Sequence, residues 1–204
     1  MSRLDYCNAA VGGQAQILGL RLKPLSLGHI ILLRAHDCAF VADEARNATI
    51  EDLILGLVIC SQTYEDASRL LDSMDDPPLF GLMKNRAQRQ MHRWGKQVRR
   101  AVRKDKEFSI YERFGMFQDY IRQGVKMPRF WILKEESSSA TAPWYQNVKL
   151  ALMSQLGYSE SSALNLPLQQ AFLDYFRHAE ASGTIRLYSD AENELEDRME
   201  VVRV

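Results

Sequence analysis

The chain has 204 residues, enough for one domain or two small ones and ample to bury a core. Its hydrophobic share of 46% is ordinary for a globular protein, and 26 basic side chains are cancelled by 26 acidic ones. That neutrality speaks against a dedicated nucleic-acid module, and the apolar run at 53–60 is far short of the ~20 residues a membrane span needs.

The first residues carry Arg3 and Asp5 but no apolar stretch, so no secretory signal is expected. Cys7, Cys38 and Cys60 are odd in number and widely spaced, which predicts small buried hydrophobes in a reducing compartment. Residues 1–19, with Gly12 and Gly13, read as irregular. Residues 20–25 alternate apolar and polar and read as an extended piece ending at Pro24. Ser26 then suits the N-cap of a deeply packed helix over 27–36. His29 and His36 on that helix would lie ~10.5 Å apart, too far to share one metal ion. His36, Asp37 and Cys38 are chain neighbours, and neighbours do not converge on one reacting atom.

Thr49 with Asp52, and Thr63 with Asp66, carry the spacing of capping boxes. Leu53, Ile54, Leu57 and Val58 form the first helical stripe that follows, and Ala67, Leu70, Leu71 and Met74 the second. Asp75, Asp76, Pro77 and Pro78 are a stop.

Residues 84–104 carry nine cations and no acid. Ala87, Met91, Trp94, Val98 and Ala101 recur at steps of four and three, predicting an amphipathic helix roughly 32 Å long. Its apolar stripe suits a central strut. Its positive face presents Arg86, Arg89, Arg93, Lys96, Arg100 and Arg103, a candidate electrostatic interface for an anionic partner. The competing reading is a solvated face balanced within the fold, with the acidic tail at 190–200 as the local source of carboxylates.

Phe108, Ile110, Tyr111, Phe114, Phe117, Tyr120 and Ile121 predict an aromatic helix whose stripe is core or, as an alternative, a base-stacking surface, with Gly124 at C′. Residues 128–134 read as extended. Residues 135–141 lack apolar content and read as a linker or mobile loop between a larger part, 1–134, and a smaller helical unit, 142–204. In that unit Pro143 suits helix position N1, Gly157 ends the first helix and Ser159 caps a short turn. Leu168, Ala171, Phe172, Tyr175, Phe176 and Ala179 line another helix, ended by Gly183. Residues 184–188 read as a short strand pairing upstream, followed by the loosely helical acidic tail. The fold class is mainly α, a multi-helix bundle-like globule with a few short extended segments.

Leu152, Met153, Gln155, Leu156, Gly157, Tyr158 and Ser159, then Ala163, Leu164, Asn165, Leu166, Pro167, Leu168 and Ala171, resemble a pattern in small proteins of tailed bacteriophages and prophages. There a helix ends in Gly-aromatic-Ser, a helical turn follows, and Asn-apolar-Pro-Leu opens an aromatic-rich helix. Residues 25–33 and 53–60 likewise resemble phage tail-region proteins. The resemblance implies a tail assembly chaperone or morphogenesis adaptor in the bacterial host cytoplasm, without enzymatic activity, metal or cofactor. Its partner would be a phage structural protein, the tape-measure protein foremost; apart from the resemblance, acids of a second copy meeting the positive helix face would make self-association the explanation, and the short apolar run at 53–60 predicts no membrane partner. Met153, Phe172, Tyr175 and Phe176 would meet such a client, or else build the chain's own core. The basic helix is not accounted for by the resemblance, and it keeps nucleic-acid binding as the alternative function.

Overall fold

The computed structural model describes residues 15–42, 47–75, 110–133 and 142–202, and Arg93, Lys96 and Arg100 individually. Among these, eight helices and four short strands follow one another. They are β1 (Gln16–Ile17), β2 (Leu20–Arg21), α1 (Leu27–Ala35), α2 (Ile50–Cys60), α3 (Tyr64–Asp75), α4 (Ile110–Gly124), β3 (Phe130–Ile132), α5 (Trp144–Ser154), α6 (Glu160–Asn165), α7 (Leu168–Ala181), β4 (Ile185–Leu187) and α8 (Asp190–Val202). The fold is mainly α, with two separate two-stranded antiparallel sheets.

The first sheet departs from the irregular start expected of this region. Ile17 pairs with Leu20, and the two residues between them, Leu18 at φ 51° and Gly19 at φ 77°, have the left-handed backbone of a tight hairpin turn. Ile17 is buried beneath it.

Helix α1 sits at the centre of the described core and packs against α2, α3, α5 and α6. Leu27, Ile30 and Leu33 are buried on this element, which is apolar on most sides. Its start is fixed by a reciprocal cap. The Ser26 hydroxyl accepts from the His29 amide at 3.3 Å, and the Ser26 amide donates to His29 Nδ1 at 3.1 Å. Imidazole thus fills the role usually taken by Glu or Gln. Its end is a left-handed turn: Asp37 has φ 51°, and the Cys38 amide reaches back to the Leu33 carbonyl at 2.9 Å. The His36–Asp37–Cys38 run is therefore a helix stop. The apolar stripe expected over 84–104 lies outside the described residues, so the strut on view is α1.

Helix α2 begins at the predicted Thr49–Asp52 box, whose amide bonds measure 3.2 and 2.9 Å. The second oxygen of Asp52 accepts from the Ala39 amide at 3.0 Å, tying the loop after α1 to this cap. On α4, Phe117 and Ile121 are buried while Tyr111 is exposed, so the centre of the aromatic stripe is core. Gly124 is the last residue of α4 and packs against Leu25; tight contact, rather than the expected left-handed turn, occupies that position.

Beyond 134–141, which lie outside the described residues, the chain turns away after α5 at Gly157, with φ 72° and a return bond from the Tyr158 amide to the Leu152 carbonyl at 3.0 Å. Ser159 caps α6, and Pro167 stands immediately before α7. The predicted strand forms as β4 and pairs with β3 in the register Phe130 with Leu187 and Ile132 with Ile185. The tail, expected to be loose, is the helix α8. Ser189 and Glu192 cap it reciprocally, with bonds of 3.3 and 2.8 Å.

One apolar cluster draws on both sides of 134–141, with Leu27, Leu57 and Phe117 from one side and Leu152, Leu168 and Phe172 from the other. Polar bonds stitch the same seam. The Leu168 amide donates to the Leu25 carbonyl at 2.7 Å, the Tyr64 amide to Asn165 Oδ1 at 3.0 Å, and the Gln169 side chain to the Gln123 carbonyl at 2.7 Å.

Candidate functional site

The six cations of the predicted electrostatic face divide by position. Arg93, Lys96 and Arg100 are helical and exposed. Their spacing of three and four places them on one side of a helix. Arg86, Arg89 and Arg103 lie outside the described residues.

The acidic tail meets other cations. Asp197 accepts from Arg129 at 2.8 Å, and Glu192 takes a two-pronged bond from Arg186 at 2.5 and 3.1 Å. The Arg186 guanidinium, with the Ser189 amide and hydroxyl, holds the Glu192 carboxyl down at about 2. Arg129 likewise lowers Asp197. These two tail carboxylates dock α8 onto the β3–β4 sheet. The Trp131 indole N–H adds a bond to Glu192 at 3.2 Å while its ring stacks on Tyr188.

Of the four predicted apolar contacts, two are buried. Phe172 is fully buried and Phe176 nearly so, within a ring cluster completed by Trp144 at 5.4 Å from Phe172 and Phe130 at 4.8 Å from Phe176. Met153 and Tyr175 are half-buried and pack against the same cluster. Phe172 thus has no surface to offer a partner, while Met153 and Tyr175 keep part of theirs. More exposed apolar side chains lie elsewhere, notably Ile132 at the end of β3 and Leu133 after it, Leu150 on α5, and Leu195 and Met199 on α8.

Two residues with reactive chemistry, His29 and Cys60, are committed to structure. His29 Nδ1 accepts from Ser26, and Nε2–H donates to the Gln62 carbonyl at 2.9 Å. Burial, the largest influence, pushes this imidazole down to about 4, so it is neutral at pH 7. Burial raises the Cys60 thiol to about 12, which removes the thiolate a nucleophile needs. Among the described residues, no group of three His, Cys, Asp or Glu could hold a metal ion, and no helix is long and apolar enough to cross a membrane.

A cleft that the sequence did not signal opens at the seam. It holds about 600 Å³ between residues 21–26 and 29, the α2–α3 turn at 61–63, and Asn165 with Pro167. Arg21 and Lys23 line it, and both are exposed, while Leu22 between them is buried. In an extended chain alternate residues share a side, so the two cations share one wall. The Lys23 backbone is fixed in both directions. Its amide donates to the Cys60 carbonyl at 2.8 Å, and its carbonyl accepts from the Tyr120 hydroxyl at 2.8 Å.

Searches against family models, curated proteins and solved structures return no match to this chain.

Proposed function

We propose that this chain is a non-enzymatic binding protein of phage tail morphogenesis, an assembly chaperone or adaptor that holds another phage protein, with the tape-measure protein as the foremost client. The reading rests on the pattern from Leu152 to Ala171. Its Gly157–Tyr158–Ser159 and Asn165–Leu166–Pro167 steps separate three successive helices, α5, α6 and α7, and that succession supports the reading. The structural commitment of His29 and Cys60 accords with a binding role. A client helix would meet exposed apolar side chains, for which Leu195 and Met199, one turn apart on α8, are suited. On this reading the protein acts in the bacterial host cytoplasm.

Co-expression of the full chain with tape-measure fragments tests it. The fragments should stay soluble and co-purify, and Leu195→Ser with Met199→Ser should weaken capture. Insolubility of every fragment tried would count against the client class.

A second reading has its own observation, the exposed trio Arg93, Lys96 and Arg100. If this face binds duplex DNA, affinity should fall with salt at a slope of roughly −0.9 per phosphate contacted. Replacing the three with glutamine should remove about 2.7 from that slope. Absence of binding at low salt removes this reading.

A further inference from the structure

Two cations stand in the cleft at the seam, and among the described residues no ion pair joins either of them to a carboxylate. None of its described lining residues is acidic, whereas Arg21 and Lys23 both face it. The neighbouring carboxylates are engaged. Glu65 accepts from Ser161 at 2.5 Å and from Asn165 at 2.8 Å, and Asp66 accepts from Thr63 at 2.8 Å. The polar walls are also occupied among themselves. Asn165 bonds the Tyr64 amide and Glu65, while Ser61 and the Gln62 amide nitrogen both donate to the Val58 carbonyl at 3.0 Å. Two cations alternating along one extended wall stand roughly 7 Å apart and repel each other. A volume of about 600 Å³ lies within the common range for small-molecule sites, roughly 300–1,000 Å³.

We propose that this cleft binds a small oxyanion-bearing molecule, a carboxylate or phosphate compound, through Arg21 and Lys23. The guanidinium suits two-pronged contact with either oxyanion, and the ammonium adds a point charge. His29 stands in the wall with both ring nitrogens bonded, so the cleft is a binding site without a free base. Because the lining comes from residues 21–29, 61–63 and 165–167, a bound anion would bridge the two halves of the chain. The site is independent of the phage reading and of the Arg93 face.

Calorimetric titration of the full chain at constant ionic strength tests the proposal, with inorganic phosphate, a phosphate monoester and a dicarboxylate as separate probes and chloride as the background anion. Saturable one-to-one binding of at least one probe is expected. A preference for phosphate or dicarboxylate identifies the source of the oxyanion. Arg21→Gln and Lys23→Gln should each weaken binding about tenfold. These exposed substitutions should leave the ligand-free thermal midpoint unchanged. The Arg93→Gln, Lys96→Gln, Arg100→Gln variant should retain full affinity, separating a local site from general attraction. Absence of saturable binding by all three probes overturns the proposal. So does binding that survives loss of both Arg21 and Lys23.

Discussion

The ring of Phe117 lies so close to the α-carbon of Gly56 that a β-carbon there would stand 2.5 Å from two ring atoms. The absent side chain lets α4 seat its largest buried residue directly on α2. Phe117 in turn meets Phe40 edge-on at 4.8 Å, so the contact also holds the loop after α1. Gly56→Ala should therefore destabilise by about 1–3 kcal/mol through overpacking, despite its better helix propensity. Chemical denaturation checks this. In a double-mutant cycle with Phe117→Leu the penalty should shrink, whereas strict additivity would place the strain elsewhere.

Phe172→Ala should cost about 3–5 kcal/mol, because the ring is wholly enclosed between Trp144 and Phe176. The loss appears as a lower denaturant midpoint with no partner present. A stable variant deficient only in client capture would contradict the core assignment.

His29 makes stability depend on pH. Its ordinary value is 6.5 and its folded value about 4, so between these the unfolded chain binds a proton that the folded chain refuses. Its contribution is complete above 6.5 and declines as pH falls to about 4, by about 3 kcal/mol across the window. His29→Gln, which can keep the cap at Ser26, should flatten this slope in unfolding measurements at pH 7, 5.5 and 4.5. Equal slopes in the two proteins would refute the assignment.

Glu192 acts at lower pH. Its folded value of about 2 lies below the ordinary 4.5, so its contribution is present above 4.5 and disappears as pH falls through about 2. Parent and Glu192→Gln should differ most near neutrality and converge in acid. Added salt should narrow the gap, because the Arg186 pair faces solvent.

Leu18 occupies the left-handed region at φ 51°, where asparagine is favoured at far lower cost. Leu18→Asn should raise stability by about 0.5–1 kcal/mol, read as a higher thermal midpoint. No gain would mean that Leu18's packing on the core outweighs its backbone strain.

Helix boundaries were legible where local chemistry fixes them. Ser26, Thr49 and Ser159 cap as their spacing suggested, and Gly157 and Gly183 terminate with positive φ. A strand at 184–188 pairing upstream was legible from its alternation, while its partner, the extended stretch holding β3, carried no signal of that pairing. Other signals are weaker in the sequence than in the structure. Ser189 with Glu192 is a capping box hidden by the acidity of the tail, and Leu18–Gly19 lacks the Asn-Gly usual in such turns. Phe172 and Phe176 could be placed on a helical face, but a stripe does not disclose whether it meets a client or the chain itself. The cleft was not readable at all, since it joins residues 21–29 to 61–63 and 165–167 and exists only after packing.

The Leu25 carbonyl and the Leu168 amide meet at 2.7 Å across most of the chain. During synthesis they emerge on the order of ten seconds apart at ~5–20 residues per second. Throughout that interval Leu27, Ile30 and Leu33 have no α5 or α6 to cover them. The nascent amino-terminal half is then a sticky intermediate, and its final closure waits for the carboxy-terminal helices. Contacts over such long sequence separations close slowly, and apolar surface left open in the meantime favours aggregation.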